Sequence, residues 1–430
     1  MSVKYKTPGV YVREISRGNK PIESVGTSTA VFIGFNNFVY KKNDKVIDLT
    51  HKPQLVSNWS QFTEKFGDFR HGSYLASAVY GYFANGGTNC YIISLGKEPV
   101  QQKLDSDEKE KNENKSKAVK SEVQGVKSLY KLIIGEDAGP GKRTGLHAIK
   151  EIEEYNLVCV PGITDKAIQD AIIQFCERNR TFAILDGPKE IPDNKGIDFI
   201  LQQKPAESSF AAMYFPWVYI YNPFDEQKML VPPSGLVAGM IARVDSEKGV
   251  HKAPANEKLK GALGVKYKLT DVEQGVLNPK GINVIRDFSD TGVTVWGART
   301  LSADAEWRYI STRRLFLMIE KTLEKGTRWV VFEPNTPELW MRIIRNVKTF
   351  LLSLWRDGAL FGKTPEEAFY IKCDEENNTP ETIDQGMVNI EIGLAAVKPA
   401  EFVVFELTQW SGPEEGETSE GGEEGAASEE

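Results

Sequence analysis

The sequence predicts a mixed fold, an α/β body followed by a smaller α+β domain, with an extended strand-like arm at each end. Three observations carry this. Residues 130 to 186 alternate short apolar runs with one amphipathic stretch, the pattern of parallel strands joined by a helix. Two long helical periods follow residue 300. β-prone runs near both ends, residues 10 to 15 and 401 to 407, lack a helical period and are too short to bury themselves.

Length and charge bound the rest. The chain has 430 residues, enough for two to four domains and a core that needs no metal or disulfide staple. It carries 53 basic and 60 acidic side chains, a net charge of −7. Eight of the acids follow Pro413 with no Lys or Arg among them, so the body is close to neutral. That balance disfavours wholesale binding to nucleic acid or anionic membrane. No apolar run approaches the roughly 18 residues a membrane span needs, and MSVKYKTPGVYVREI lacks the features of a signal peptide. Cys90, Cys159, Cys176 and Cys373 form no CxxC pair and read as buried thiols of a protein made in a reducing compartment.

The elements follow in order. Gly18, Pro21 and Gly26 break the chain after the first arm. Thr29 to Phe35 reads as a short buried strand. Leu55, Trp59, Phe62 and Phe66 recur at helical spacing and predict a helix over 54–66. A second helix is expected over 74–83, stopped by Asn85-Gly86-Gly87, then a buried strand over 90–95. Lys103 to Lys127 holds seven basic and six acidic residues and no aromatic one, and the stretch 97–127 is expected as a mobile surface insertion. Strands are expected at 130–134, 156–160 and 181–186, with a helix capped by Thr164 before the last. Downstream, Ser302 is expected to cap a helix running to about Lys325 and stopping at Gly326. Thr336-Pro337-Glu338 opens another that Gly358 closes. On that last helix Leu339, Trp340, Ile343, Ile344, Val347, Phe350, Leu351 and Leu354 share one face, and Arg342, Arg345, Lys348 and Arg356 lie opposite. A basic face so placed reads either as solvated surface or as a contact for an acidic partner.

No motif for catalysis or cofactor binding survives inspection. GEDAGPGKRT (135 to 144) has five residues between Gly135 and Gly141, and Arg143 stands where a phosphate loop needs Ser or Thr. His51, His71, His147 and His251 show no metal-ligand spacing, and no GxSxG elbow is present. Pro161-Gly162 and Asp186-Gly187 end expected parallel strands, where α/β folds bind ligands, but a plain turn explains them. The expectation is therefore no catalytic residue, no metal and no cofactor.

A series of local signatures runs in order along residues 5 to 410: TPGVYVREI (7 to 15), PIESVGTSTAVFIGF (21 to 35), FANGGTNCYIISL (83 to 95), PWVYIYNP (216 to 223), VPPSGLVAGMIARVD (231 to 245), GVHKAPAN (249 to 256), LNPKGINVIRDF (277 to 288), VWGARTLS (295 to 302), FEPN (332 to 335) and KPAEFVVFEL (398 to 407). This pattern resembles the tail sheath proteins of contractile phage tails, R-type bacteriocins and extracellular contractile injection systems. The charged stretch at 97–127 and the tail after Pro413 depart from it, so nothing about their roles carries over.

The resemblance implies a subtilisin-like α/β domain, with nothing implied about proteolysis since function lives in the site and not the fold. It implies hexameric rings stacked helically around an inner tube, contracting to drive the tube through a target envelope. Its partners would be further copies of itself, the tube protein, baseplate and cap proteins and, where a particle has them, sheath paralogues, with no nucleic acid and no membrane insertion. Assembly would take place in the cytoplasm, with release as part of a phage tail-like particle or virion. The arms would join neighbouring subunits by strand pairing, which assigns Val10, Tyr11, Val12 and Glu14, with Phe402, Val403, Val404, Phe405 and Glu406, to subunit linkage. Arg342, Arg345, Lys348 and Arg356 are expected to hold the tube. The expected organisation is an arm at 1–24, the α/β domain at 25–300, a tube-proximal α+β domain at 301–412 and a disordered acidic tail at 413–430. Two other readings are carried, a subtilisin-like hydrolase and a sheath paralogue of the baseplate or cap.

Overall fold

A computed structural model of the chain describes residues 22–69, 74–98, 127–193 and 195–405. Val10, Tyr11, Val12, Glu14, Glu406, the acidic tail and nearly all of the charged stretch lie outside the described residues.

The chain opens with β1 (Ala30–Gly34), an exposed hairpin of β2 (Lys41–Lys42) and β3 (Lys45–Val46), then β4 (Gln54–Val56) and α1 (Trp59–Phe66). Helix α2 (Tyr74–Ala84) leads into β5 (Cys90–Ser94). Helix α3 (127–134) precedes β6 (Leu157–Cys159), α4 (Lys166–Arg178) and β7 (Phe182–Asp186). Next come α5 (Ile197–Gln202), β8 (Ala211–Phe215), β9 (Val218–Asn222), β10 (Gln227–Val231) and α6 (Ser234–Lys248). They are followed by β11 (Glu257–Lys258), β12 (Ala262–Val265), α7 (Asp271–Leu277), β13 (Ile282–Phe288) and β14 (Gly292–Val295). The last elements are α8 (Ile310–Gly326), α9 (Pro337–Arg356), α10 (Pro365–Ala368), β15 (Phe369–Lys372), α11 (Pro380–Asp384) and β16 (Glu391–Leu394).

Nine strands form one sheet in the order β11-β14-β13-β8-β7-β6-β1-β5-β4. Its centre, from β13 to β5, is parallel throughout; β4 pairs antiparallel with β5 at one end, and at the other β14 pairs antiparallel with β13 and β11 antiparallel with β14. Central strands read as continuous apolar runs because both faces are covered. Alternation then sorts the side chains. Ala30, Phe32, Ile92, Ile184 and Tyr214 face a core shared with α1, α2 and α6. Val31, Ile33, Ile93, Leu185 and Met213 face a second core shared with α4 and α5. A third core joins α8 and α9 to β15, and Ile22 and Val25 pack against it.

The tightest helix contact is α2 on α6. A Cβ on Gly235 would stand 2.3 Å from the Ala78 carbonyl oxygen, and one on Gly239 2.3 Å from that of Tyr82. Glycine at these two positions lets the helix backbones meet.

Several expectations are corrected. Residues 130–134 lie in helix α3, because Leu129 and Ile133, four apart, present one face to the core. The helix expected over 54–66 begins at Trp59. Asn58 caps it at 2.9 Å from the Gln61 N–H, and Gln54–Val56 pairs with β5 as an edge strand instead. Asp165, not Thr164, caps α4. Ser302 caps no long helix. Its hydroxyl accepts from the Asp304 N–H, and α8 starts at Ile310 after Thr300 N–H bonds to the Arg308 carbonyl at 2.7 Å. Helix α9 begins at Pro337 as expected, with Thr336 as its cap. The β6–α4–β7 unit is parallel, also as expected.

Candidate assembly surfaces

Helix α9 buries Leu339, Trp340, Ile343, Val347, Phe350, Leu351 and Leu354, with Ile344 half-buried, and leaves Arg342, Arg345, Lys348 and Arg356 exposed. These cations are not equivalent. Arg342 bonds Glu333 at 2.8 Å and lies 5.1 Å from the Trp329 ring centre. Arg345, Lys348 and Arg356 have no acidic partner among the described residues. The sequence could not separate them, because Glu333 reaches Arg342 only through the turn before α9.

Residues up to Lys398 form one unit and those from Pro399 another. In the second unit, residues 401–405 form no strand, although one is expected from the sequence. Phe402, Val403, Val404 and Phe405 are between 72% and 82% exposed. These are four consecutive large apolar side chains left in water, an exposed patch of the kind that marks interaction surfaces. In the first unit β15 pairs with β16 and the hydroxyl of Tyr370 donates to Glu391 at 2.7 Å. That two-stranded sheet has no third strand among the described residues.

A buried clamp, missed in the sequence, joins three segments. Arg314 on α8 donates through Nη1 to Asp245 Oδ1 on α6 at 2.8 Å and through Nη2 to Asp245 Oδ2 and the Thr27 carbonyl. Thr27 Oγ1 also donates to the Asp245 carboxylate. The side chains of Arg314 and Asp245 are 3% and 5% exposed. Lead-in segment, α6 and α8 are thus held at one point. Its only sequence signal is an Arg on the buried side of an amphipathic helix.

Most of the sites weighed for chemistry are internally satisfied, although His147 Nδ1 is buried with no hydrogen-bond partner among the described residues. Asp186 is buried and accepts from the Gly162 N–H (2.9 Å), the Ser234 N–H (2.8 Å) and Ser234 Oγ (2.9 Å). Burial pushes its carboxyl up to about 6 against the lowering effect of those bonds. It closes the N-terminus of α6, whose own cap position, Pro233, offers no side-chain bond. Trp217 Nε1 donates to the Gly187 carbonyl at 2.9 Å, and Tyr74 stacks edge-on against Trp217, so side chains fill this end of the sheet. In the 135–144 loop Asp137 binds Arg143 and Lys150, both at 2.8 Å, and the Gly141 N–H donates to Glu151. His51 Nδ1 accepts from the Gly145 N–H at 3.1 Å, and burial holds its pKa below the usual value. All four cysteines are free and buried, and burial pushes their thiols up. Among the described residues no cluster of His, Cys, Asp or Glu could hold a metal ion, and no helix is long and apolar enough to cross a membrane.

Comparison with known proteins accounts for a molecule built around packing and surfaces. The phage tail sheath protein central domain matches residues 138–301, and the phage tail sheath C-terminal domain matches 302–409. The sheath of an extracellular contractile injection system, the PVC sheath complex in its contracted state, is 30% identical, with a TM-score of 0.71 over 95% of this chain and 99% of that one. This chain belongs to the contractile tail sheath family. The contracted helical sheath of the anti-feeding prophage is likewise 30% identical, covering 94% of this chain and 100% of that one at a TM-score of 0.66. Among curated relatives, a putative prophage major tail sheath protein of Pseudomonas aeruginosa (strain UCBPP-PA14) is 27% identical over 65% of this chain and 73% of its own. The tail sheath protein of Escherichia phage P2 is 22% identical over 91% and 93%. The family is one of structural sheath proteins.

Proposed function

We propose that the chain is the repeating, non-enzymatic subunit of a contractile sheath that assembles as stacked hexameric rings around an inner tube and contracts to drive that tube forward. The observation that carries this reading is the likeness to a contracted sheath subunit over 95% of this chain and 99% of that one. Residues 25–300 would be the sheath body, its parallel sheet the family's subtilisin-like domain, and residues 301–412 the tube-proximal domain. The C-terminal arm, Phe402 to Glu406, would leave its own subunit and pair with a neighbour's strands. Val10, Tyr11, Val12 and Glu14 of another copy would complete the shared sheet. Backbone pairing of this kind links subunits yet lets them rotate, and such head-to-tail contacts generate open helices. The β15–β16 pair is the natural acceptor, because its sheet ends after two strands. Baseplate and cap proteins would bind the ends of the lattice, and the subunit would be assembled in the cytoplasm before release with the particle.

The basic face of α9 would hold the tube in the extended state. Because Glu333 already neutralises Arg342, the uncompensated Arg345 and Lys348 should dominate. Arg345→Glu with Lys348→Glu should leave the free subunit folded, weaken its association with tube protein and make what remains more sensitive to salt. Co-expression with the cognate tube protein and negative-stain microscopy give the readout, which is hollow striated cylinders in two lengths for the native chain and loss of the long form for the variant. Normal numbers of extended particles would remove the tube-contact assignment. Monodisperse monomers of the native chain with measurable hydrolysis would remove the whole reading.

A further inference from the structure

We infer that Phe332 is an apolar anchor that seats in a hollow of the tube surface beside the basic stripe of α9. This rests on the reading of that face as the tube contact. Phe332 is 102% exposed, the most exposed of the large apolar side chains among the described residues, and Val331 beside it is 63% exposed. Its φ is +69°, the left-handed region that bulky side chains avoid. The free subunit therefore holds an aromatic ring in water on a disfavoured backbone, a combination that folding alone does not reward.

The backbone that carries the ring is nevertheless held in place. The Val331 N–H donates to the Arg328 carbonyl at 3.3 Å and the Glu333 N–H to the Val330 carbonyl at 3.0 Å, closing turns on both sides of the tip. Asn335 Nδ2 donates to the Met387 carbonyl at 2.9 Å, and Trp340 Nε1 donates back to Asn335 Oδ1 at 2.8 Å, so the strap is anchored to α9. Such fixing lowers the ordering cost of binding. Position follows from the flanking residues. Trp329 and Glu333, three before and one after Phe332, both grip Arg342. The ring accordingly stands at the N-terminal end of the stripe whose next members, Arg345 and Lys348, lack an acidic partner among the described residues. The occupant that fits is a protein surface with carboxylates beside an apolar hollow, an aromatic anchor flanked by charge being the usual anatomy of an interface hot spot. On the reading above that surface is the inner tube.

The test uses the full chain as Phe332→Gly and Phe332→Trp, compared with Arg345→Glu/Lys348→Glu. Glycine removes the ring and relieves the positive φ, so the urea midpoint of the free chain should stay level or rise. Its co-sedimentation with assembled tubes should weaken at least tenfold while keeping the native salt dependence. Tryptophan should restore binding. A lowered midpoint for Phe332→Gly would make the ring structural and overturn the proposal. Native binding by Phe332→Gly alongside failure of the charge-reversed variant would overturn it and leave the tube-contact reading intact. Native binding by both would overturn both. If Phe332→Gly instead impairs lattice formation by the sheath chain without tube, the occupant is a second copy and the proposal fails.

Discussion

Removing the carboxylate of Asp245 strands a buried guanidinium. Arg314 and Asp245 are 3% and 5% exposed, and Arg314 spends both Nη groups on the carboxylate and the Thr27 carbonyl. With Asp245→Ala the cation loses its counter-charge and its bidentate acceptor, while Thr27 Oγ1 loses its acceptor as well. Breaking one side of such a pair costs about 3–5 kcal/mol. Against a whole-domain stability of about 5–15 kcal/mol, that is a large share. Replacing both partners by apolar residues of similar volume, Asp245→Leu with Arg314→Met, removes the desolvation penalty too and should recover the loss or exceed it. Thr27→Val deletes a single hydrogen bond and should cost about 1 kcal/mol. Urea unfolding followed by tryptophan fluorescence on the native chain and the three variants gives the comparison. The double variant should then be tested for sheath assembly, because the clamp fixes the segment at Thr27 against α6 and α8. A cost under about 1 kcal/mol for Asp245→Ala, or a double variant no more stable than the single one, would refute the reasoning.

Gly235→Ala and Gly239→Ala should each force α2 and α6 apart, since the new Cβ meets backbone oxygen at 2.3 Å, and should cost about 1–3 kcal/mol by thermal or urea unfolding. Gly275→Ala on α7 meets nothing within 4 Å and should instead stabilise by about 0.5–1 kcal/mol. Asp186 titrates at about 6 in the fold against an ordinary value near 3.8, so between these values the folded chain binds more protons than the unfolded one. Stability should therefore fall as pH rises from about 4 to 6, by up to about 1.4 kcal/mol per pH unit from this group. Asp186→Asn should flatten that slope in urea midpoints measured across the window.

Much of the fold was legible because local chemistry and tertiary context agree. In α9 the Thr-Pro-Glu opening, an unbroken apolar face and Gly358 act within one helix, so start, stop and buried side can be read directly. The same holds for β1 and β7, whose apolar runs end at Gly34 and Asp186. The reading failed where a distant partner decides. Tyr130 to Ile134 is too short an apolar run to tell strand from helix, and packing of Leu129 and Ile133 on the second core settles it. Gln54 to Val56 carries a helical spacing with the residues after it, yet the open edge of β5 takes it as a strand. Phe402 to Phe405, proposed above as linking residues, stand out in the sequence as an apolar run, but their exposure is visible only in three dimensions.

The sequence alone determined the family, through ordered signatures spread along the chain, and placed a basic face on α9, because helical geometry fixes which residues share a side. It could not rank the cations on that face. Charge compensation depends on where a turn returns the chain, and only the tertiary structure sets Glu333 against Arg342 while leaving Arg345 and Lys348 without an acidic partner among the described residues. Likewise the Arg314–Asp245–Thr27 clamp and the outward, left-handed Phe332 are products of packing between elements far apart in sequence and of a strap fixed at both ends. No local pattern encodes either, because each depends on what the rest of the fold brings near or leaves uncovered.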